Sequence, residues 1–241
     1  MHREEKRLAA RAAAEEIQSG MIVGLGTGTT VAELIPILAA RLRDGLDIVA
    51  AATSIATEAV ARAAGIPIIP FEDRPTVDLT IDGVDEIDDR FYAIKGGGGA
   101  LLREKIVATA SHRMVAIADG SKHSATIGRH PVPLEILPFA RSFVLAEIEK
   151  LGGVPTLRMA EGQPARSDQH NLLADCAFPA LVDSAAIAAR LSAIPGLLGH
   201  GLFLTEIDAL YIAHRGKVTF SERPPPAPGA PAASSTAKTA G

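Results

Sequence analysis

The sequence predicts an α/β fold: a mostly parallel sheet with helices on both faces, and a smaller α+β unit inserted late in the chain. Short apolar, β-branched runs alternate with Ala-rich helical patterns, which is the rhythm of βαβ units. Hydrophobic residues fill 47% of the 241 positions, aromatics only 4%, and Trp is absent. Such a core is packed from Ala, Val, Ile and Leu, as suits a parallel sheet covered by helices.

Taken in order, a charged, Ala-rich segment near 3 to 18 reads as the first helix, and "MIVGLG" as the first strand. Helical patterns near 30 to 43, 54 to 64 and 100 to 111 fall among further strand candidates, "LDIVAAAT", "IPIIPF", "VDLTID", "YAIKGG" and "MVAIAD". After Gly128 the rhythm changes to "HPVPLEILP", a helix near 138 to 151, "VPTLRM", "NLLADCAF" and a helix opened by Asp183. "HGLFLTEIDALYIAH" and "KVTFSE" then resume strand texture. The expected division is a catalytic domain over 1–128, a small α+β unit over 129–205, strands returning to the first domain over 206–222, and a Pro/Ala-rich tail over 223–241. The tail cannot bury a core and is expected to be disordered.

The net charge of −4 and the lack of a long Lys/Arg block leave no electrostatic footprint for nucleic acid. Any anionic ligand must be met by local cations. The single cysteine, Cys176, excludes an internal disulfide framework and fits a reducing compartment; its apolar surroundings predict a buried structural thiol. The first residues lack an apolar signal core, and no run approaches a membrane span, so a cytoplasmic protein without membrane partners is expected.

Three stretches carry candidate chemistry. "GLGTGTT", residues 24 to 30, lies between a strand and a helix, where free backbone N–H groups meet an anion. The spacing is G-x-G-x-G, not the dinucleotide G-x-G-x-x-G, and no Walker lysine follows. A methyltransferase could carry this loop, but the next strand ends in Thr53 and Ser54, not in a carboxylate for ribose hydroxyls. The hydroxyls of Thr27, Thr29 and Thr30 suit a phosphate monoester, and a tight structural turn stays open. "DLTIDGVDEIDD" brings Asp82, Asp85, Glu86, Asp88 and Asp89 to the carboxyl end of a strand, where open parallel sheets bind ligands. Gly83 and Asp85 break a calcium-loop alternation, so the stretch reads either as a set of sugar-hydroxyl acceptors or as a solvated acidic turn. "KGGGGALLREKI", residues 95 to 106, sets four glycines between Lys95 and a helix whose first turn holds Glu104.

"GLGTGTT", "TSIATE", "DGVDEID", "KGGGGALLREKI" and "DGSK", in this order, resemble ribose-5-phosphate isomerase of the A type over about residues 3 to 220. The resemblance implies a Rossmann-like domain with a smaller lid and a cofactor-free interconversion of ribose 5-phosphate and ribulose 5-phosphate. It makes Glu104 the base that moves the proton between C1 and C2, with Lys95 at the enediolate oxygen. Asp82 and Asp85, with Gly83 and Val84 between them, would bind sugar hydroxyls and assist ring opening. Thr27, Gly28, Thr29 and Thr30 would cradle the phosphate, and Gly96, Gly97 and Gly98 would let backbone approach the sugar. Lys122 of "DGSK", and Lys6, would supply cations. Relatives of this kind imply a homodimer or a dimer of dimers.

The chemistry agrees with these residue types, since an enediol route needs one carboxylate that takes and returns a proton and donors aimed at the oxyanion. The chain departs from the family pattern at "SDQHN": where S/T-D-x-G-N is usual, Gln169 and His170 stand in the turn while Asp168 and Asn171 remain, which predicts a local loop change. The histidines show no ligand spacing, and no metal or cofactor is assigned. A sugar-phosphate sensor on the same fold would be expected to carry a DNA-binding segment, for which no room is expected before Met21, and could lose Glu104 and Lys95, both present.

Overall fold

A computed structural model describes residues 2–178, 181 and 183–225. The chain runs through α1 (His2–Ala14), β1 (Ile22–Leu25), α2 (Val31–Arg43), β2 (Val49–Ala52), α3 (Ile55–Ala63), β3 (Val77–Gly83), β4 (Glu86–Ile87), β5 (Ala93–Ile94), α4 (Leu101–Thr109) and β6 (Ser111–Asp119). It continues with β7 (Val132–Ile136), α5 (Arg141–Lys150), β8 (Val154–Leu157), β9 (Met159–Ala160), β10 (Gln163–Pro164), β11 (Leu172–Ala177), α6 (Ser184–Ser192), β12 (Leu197–His200), β13 (Leu202–Phe203), β14 (Ala209–His214) and β15 (Lys217–Glu222).

The main sheet has the order β15-β14-β6-β3-β1-β2, parallel throughout except for β15, which closes a hairpin with β14. Alternate side chains of β6 serve its two faces, as the two-residue period of a strand requires. Val115 and Ile117 join the alanines of α1 and Leu34 and Leu38 of α2. Met114, Ala116 and Ala118 join Ala108 of α4 with Phe203 and Ile207 on the opposite face. Small residues let α1 lie close: Ala9, Ala10, Ala13 and Ala14 are all fully buried.

A second, antiparallel sheet of order β12-β7-β11-β8 packs Val132, Leu134 and Ile136 against Val144 and Ile148 of α5 and Leu191 of α6. Cys176 is buried in this cluster, and burial pushes its thiol up to about 12. Asp183 caps α6, accepting from the Ala186 amide at 2.9 Å.

Two strand expectations need correction. "IPIIPF" forms only an isolated bridge between Ile68 and Ala50, because Pro67 and Pro70 lack the N–H a ladder needs. "YAIKGG" does not enter the parallel sheet: only Ala93–Ile94 pairs, antiparallel to β4 and β13. The acidic stretch is not a solvated turn either. Glu86 is buried and takes the Gly128 and His130 amides, the Ser124 hydroxyl and Arg129, and Asp88 takes the amides of Arg90 and Tyr92. The expected tail begins at Arg223, which hydrogen-bonds the Ile207 carbonyl at 2.5 Å and the Phe91 carbonyl at 2.9 Å; residues 226–241 lie outside the described residues. Among the described residues no helix is long and apolar enough to cross a membrane.

Candidate active site

The carboxyl ends of β1 and β3 open on one cleft, with the β1–α2 loop on one side and the glycine turn before α4 on the other. Its cavity is lined by Thr27, Gly28, Thr29, Thr30, Gly83, Val84, Asp85, Lys95, Gly96, Gly98, Glu104 and Lys122. All of these stand among the residues singled out from the sequence. The other three expected residues, Asp82, Gly97 and Lys6, are not among its lining residues.

Local sequence explains the loop. Gly28 has φ +100°, a left-handed conformation that glycine adopts without strain. Thr30 precedes α2 without using its hydroxyl as a cap, the Ala32 and Glu33 amides bond the Gly28 and Thr30 carbonyls, and the helix turns its positive dipole end to the cleft. Lys6 reaches in from α1 and donates to Thr29 Oγ1 at 2.9 Å, and Lys122 enters from the turn after β6. Thr53, fully buried at the end of β2, shares a 2.8 Å hydrogen bond with Thr27 Oγ1. The sequence marked Thr53 only as the place where a nucleotide-binding acid is missing.

Asp82 is 1% exposed and is not among the residues that line the cavity. Its Oδ1 accepts from the amides of Thr27 (3.0 Å) and Gly83 (2.7 Å), and its Oδ2 lies 2.9 Å from Lys95 Nζ. Only glycine fits opposite: a Cβ on Gly26 would fall 2.0 Å from the Asp82 carboxylate. The acid therefore ties the β1–α2 loop to the lysine. Asp85 remains at the cavity wall, accepting from the Gly97 amide at 2.7 Å.

Lys95 and Glu104 meet across the glycine turn, with Nζ 3.3 Å from Oε2. They are 2% and 4% exposed. Lys95 Nζ also donates to the Gly83 carbonyl at 2.5 Å, so the ammonium sits among one carbonyl and the carboxylates of Asp82 and Glu104. Glu104 Oε2 is a buried carboxylate oxygen with no hydrogen-bond partner among the described residues. Burial lowers the affinity of Lys95 for its proton, but Asp82 and Glu104 outweigh it and hold the ammonium charged. Burial raises Glu104 to about 8, Asp82 and Asp85 adding to the rise and Lys95 opposing it. Burial likewise raises Asp82, against the pull of Lys95. Two carboxylates around one ammonium in a dry site cannot both ionise easily, so a proton is held there near neutral pH.

Fold and site define a class: an α/β protein with a threonine-rich loop at a helix N-terminus on one side of a cleft and a buried carboxylate–ammonium pair on the other. Residues 49–217 match the family model of ribose 5-phosphate isomerase A (phosphoriboisomerase A). The chain is 51% identical over 219 residues to the ribose-5-phosphate isomerase A of Sphingopyxis alaskensis, covering 91% of this chain and 96% of that one. Among solved structures it superposes with TM-score 0.89 and 32% identity on a D-ribose-5-phosphate isomerase in complex with phospho-erythronic acid, covering 92% of this chain and all of that one. The ribose 5-phosphate isomerase of Plasmodium falciparum superposes with TM-score 0.87 and 34% identity, covering 91% and 98%. The chain belongs to the ribose 5-phosphate isomerase A family.

Proposed function

We propose that the chain interconverts D-ribose 5-phosphate and D-ribulose 5-phosphate through an enediolate, with Glu104 as the proton carrier. The observation that carries the assignment of roles is the Lys95–Glu104 contact at the cavity wall, where a carboxylate oxygen lacks a hydrogen bond beside a charged ammonium. In the aldose-to-ketose direction, Glu104 takes the C2 proton of the open-chain sugar and returns it to C1, O1 gathers charge as the enediolate forms, and the O2 hydroxyl proton passes to O1 to leave the C2 carbonyl. Lys95 and the glycine amides stabilise that oxygen. Asp85 accepts sugar hydroxyls and assists ring opening, and Asp82 keeps Lys95 charged and in place. Thr27 to Thr30, Lys122 and Lys6 hold the phosphate.

The phospho-erythronic acid bound by the structural relative supports this reading. An aldonate of that kind offers a phosphate at one end and a planar two-oxygen group at the other, the two features a phosphosugar enediolate presents. Purified protein is expected to convert ribose 5-phosphate in chelator without added cofactor and to exchange the C2 proton with heavy water. Glu104→Gln should lower kcat by about 10²- to 10⁴-fold, the usual weight of a general base. A near-wild-type rate in that variant would remove Glu104 from the mechanism.

The division into a catalytic domain over 1–128 and 206–222 and a lid over 129–205 remains part of the proposal, supported by the separate cores of the two main sheets. We also read the protein as a cytoplasmic homodimer or dimer of dimers. The exposed Phe139 and Phe143 beside Leu137 support an association surface, and sedimentation at micromolar concentration tests it, a monomer refuting it.

A further inference from the structure

Arg158 stands between β8 and β9, remote in sequence from every motif at the site. Its guanidinium makes a bidentate pair with Asp175 of β11, Nε 2.8 Å from Oδ2 and Nη2 2.7 Å from Oδ1. The remaining nitrogen, Nη1, donates to the carbonyls of both Gly96 and Gly97 at 3.1 Å. The antiparallel sheet thus reaches the glycine turn through one largely buried side chain.

Peptide planarity gives this contact a consequence. In a trans peptide the carbonyl and the following N–H point in opposite directions, and no cis bond occurs among the described residues. The Gly96–Gly97 peptide is therefore clamped at both ends, its carbonyl on Arg158 and its N–H on Asp85 Oδ2. In the next peptide the Gly97 carbonyl is also held by Arg158, which directs the Gly98 N–H away from the arginine. Gly98 lines the cavity, and a Cβ there would meet only Thr27 Cγ2, at 3.6 Å. The Gly99 N–H closes the turn on the Gly96 carbonyl at 3.0 Å, but four successive glycines impose almost no further backbone preference, so the orientation of the turn in the cleft has to be imposed from outside.

We infer that Arg158, held by Asp175, is a positioning residue that fixes the glycine turn so that the Gly98 amide and the Asp85 carboxylate face the reacting carbons. The inference rests on the reading of this cleft as the enediolate-forming site. Arg158 acts through two peptide planes. A lysine could keep the charge but not the fixed fork that joins one carboxylate to two carbonyls.

The test compares kcat and KM for ribose 5-phosphate in Arg158→Ala, Arg158→Lys and Asp175→Asn, with Glu104→Gln as the control for the site itself. Misorientation of one donor and one carboxylate should lower kcat about 10- to 100-fold in Arg158→Ala. KM should stay within about threefold, because phosphate is held elsewhere. Lysine should not restore the rate, whereas millimolar guanidinium should recover part of it in Arg158→Ala and none in Glu104→Gln. A kcat within about twofold of wild type in Arg158→Ala alongside an inactive Glu104→Gln overturns the positioning role, as does a loss seen only in KM. An active Glu104→Gln overturns the reading of the site and this inference with it. Should Arg158→Ala not fold, Arg158→Lys and Asp175→Asn carry the same kcat against KM comparison.

Discussion

Glu104 is useful because its surroundings are bad for a charge. Its carboxyl is raised from 4.5 to about 8, burial being the largest cause and the negative charges of Asp82 and Asp85 adding to it. A base must be ionised to accept a proton, so kcat/KM should climb about tenfold per pH unit on the acid side and level off above about pH 8. A pH–rate profile flat down to pH 5 would contradict this. The same raised affinity for a proton acts on stability with the opposite sense. A folded-state pKa above the unfolded value gives a contribution fully present below about pH 4.5 and lost as pH rises through about 8. Glu104→Gln should therefore stabilise the protein more at pH 9 than at pH 5 in urea unfolding, by about 1 kcal/mol or more, since each tenfold change in proton affinity is worth about 1.4 kcal/mol. An equal effect at both pH values would refute the burial argument. Asp82 shows what a motif conceals at this scale: spacing identified a carboxylate at a strand end, yet the absence of a Cβ on Gly26 lets it turn inward to Lys95.

At the scale of elements, the turn from Ser167 to Asn171 shows a local change with a defined cost. His170 has φ +62° at the position where the family pattern places glycine, and its side chain is exposed. The surrounding contacts hold the turn regardless: Ser167 Oγ and Asn171 Nδ2 both bond Glu135 Oε1, and Asp168 Oδ2 accepts from the Ile55 amide at 2.8 Å. A left-handed conformation costs a residue with a Cβ about 1–2 kcal/mol, offset in part by about 0.5–1 kcal/mol of glycine backbone entropy. His170→Gly should thus raise Tm by about 1–3 °C while leaving kcat unchanged, read by thermal melting and assay. A lower Tm would show that the imidazole contributes more than its exposure suggests. Elements were legible where period and composition agreed, as in α1 to α4 and in β1, β3 and β6. "IPIIPF" misled because apolar character was counted before the missing amides of Pro67 and Pro70. Arg158 was invisible for a different reason: its partners are 17 residues away in Asp175 and more than 60 away in the glycine turn, and only the register of β8 on β11 brings them together.

Across the whole molecule, the two ends of the cleft are built by different means, and that makes them separable by kinetics. On the proposed mechanism the proton-transfer end depends on a buried trio, Asp82, Lys95 and Glu104, whose contacts matter most as charge moves in the transition state. The proposed phosphate end combines the N-terminus of α2, threonine hydroxyls and two lysines from distant elements, Lys6 of α1 and Lys122 after β6. With a net charge of −4 the molecule offers a dianion no long-range attraction, so affinity must come from these local contacts. They act alike on substrate and transition state, because the phosphate does not react. Lys122→Ala should therefore raise KM about tenfold with kcat within about threefold of wild type, the pattern of lost uniform binding. Inhibition by inorganic phosphate should weaken in parallel, since that ion occupies only this end. Lys6→Ala should have the smaller effect, because its ammonium is already shared with Thr29 Oγ1 and lies 4.0 Å from Asp119 Oδ2. A fall in kcat at constant KM in Lys122→Ala would place that lysine beside the reacting carbons and reverse the orientation of the sugar in the cleft.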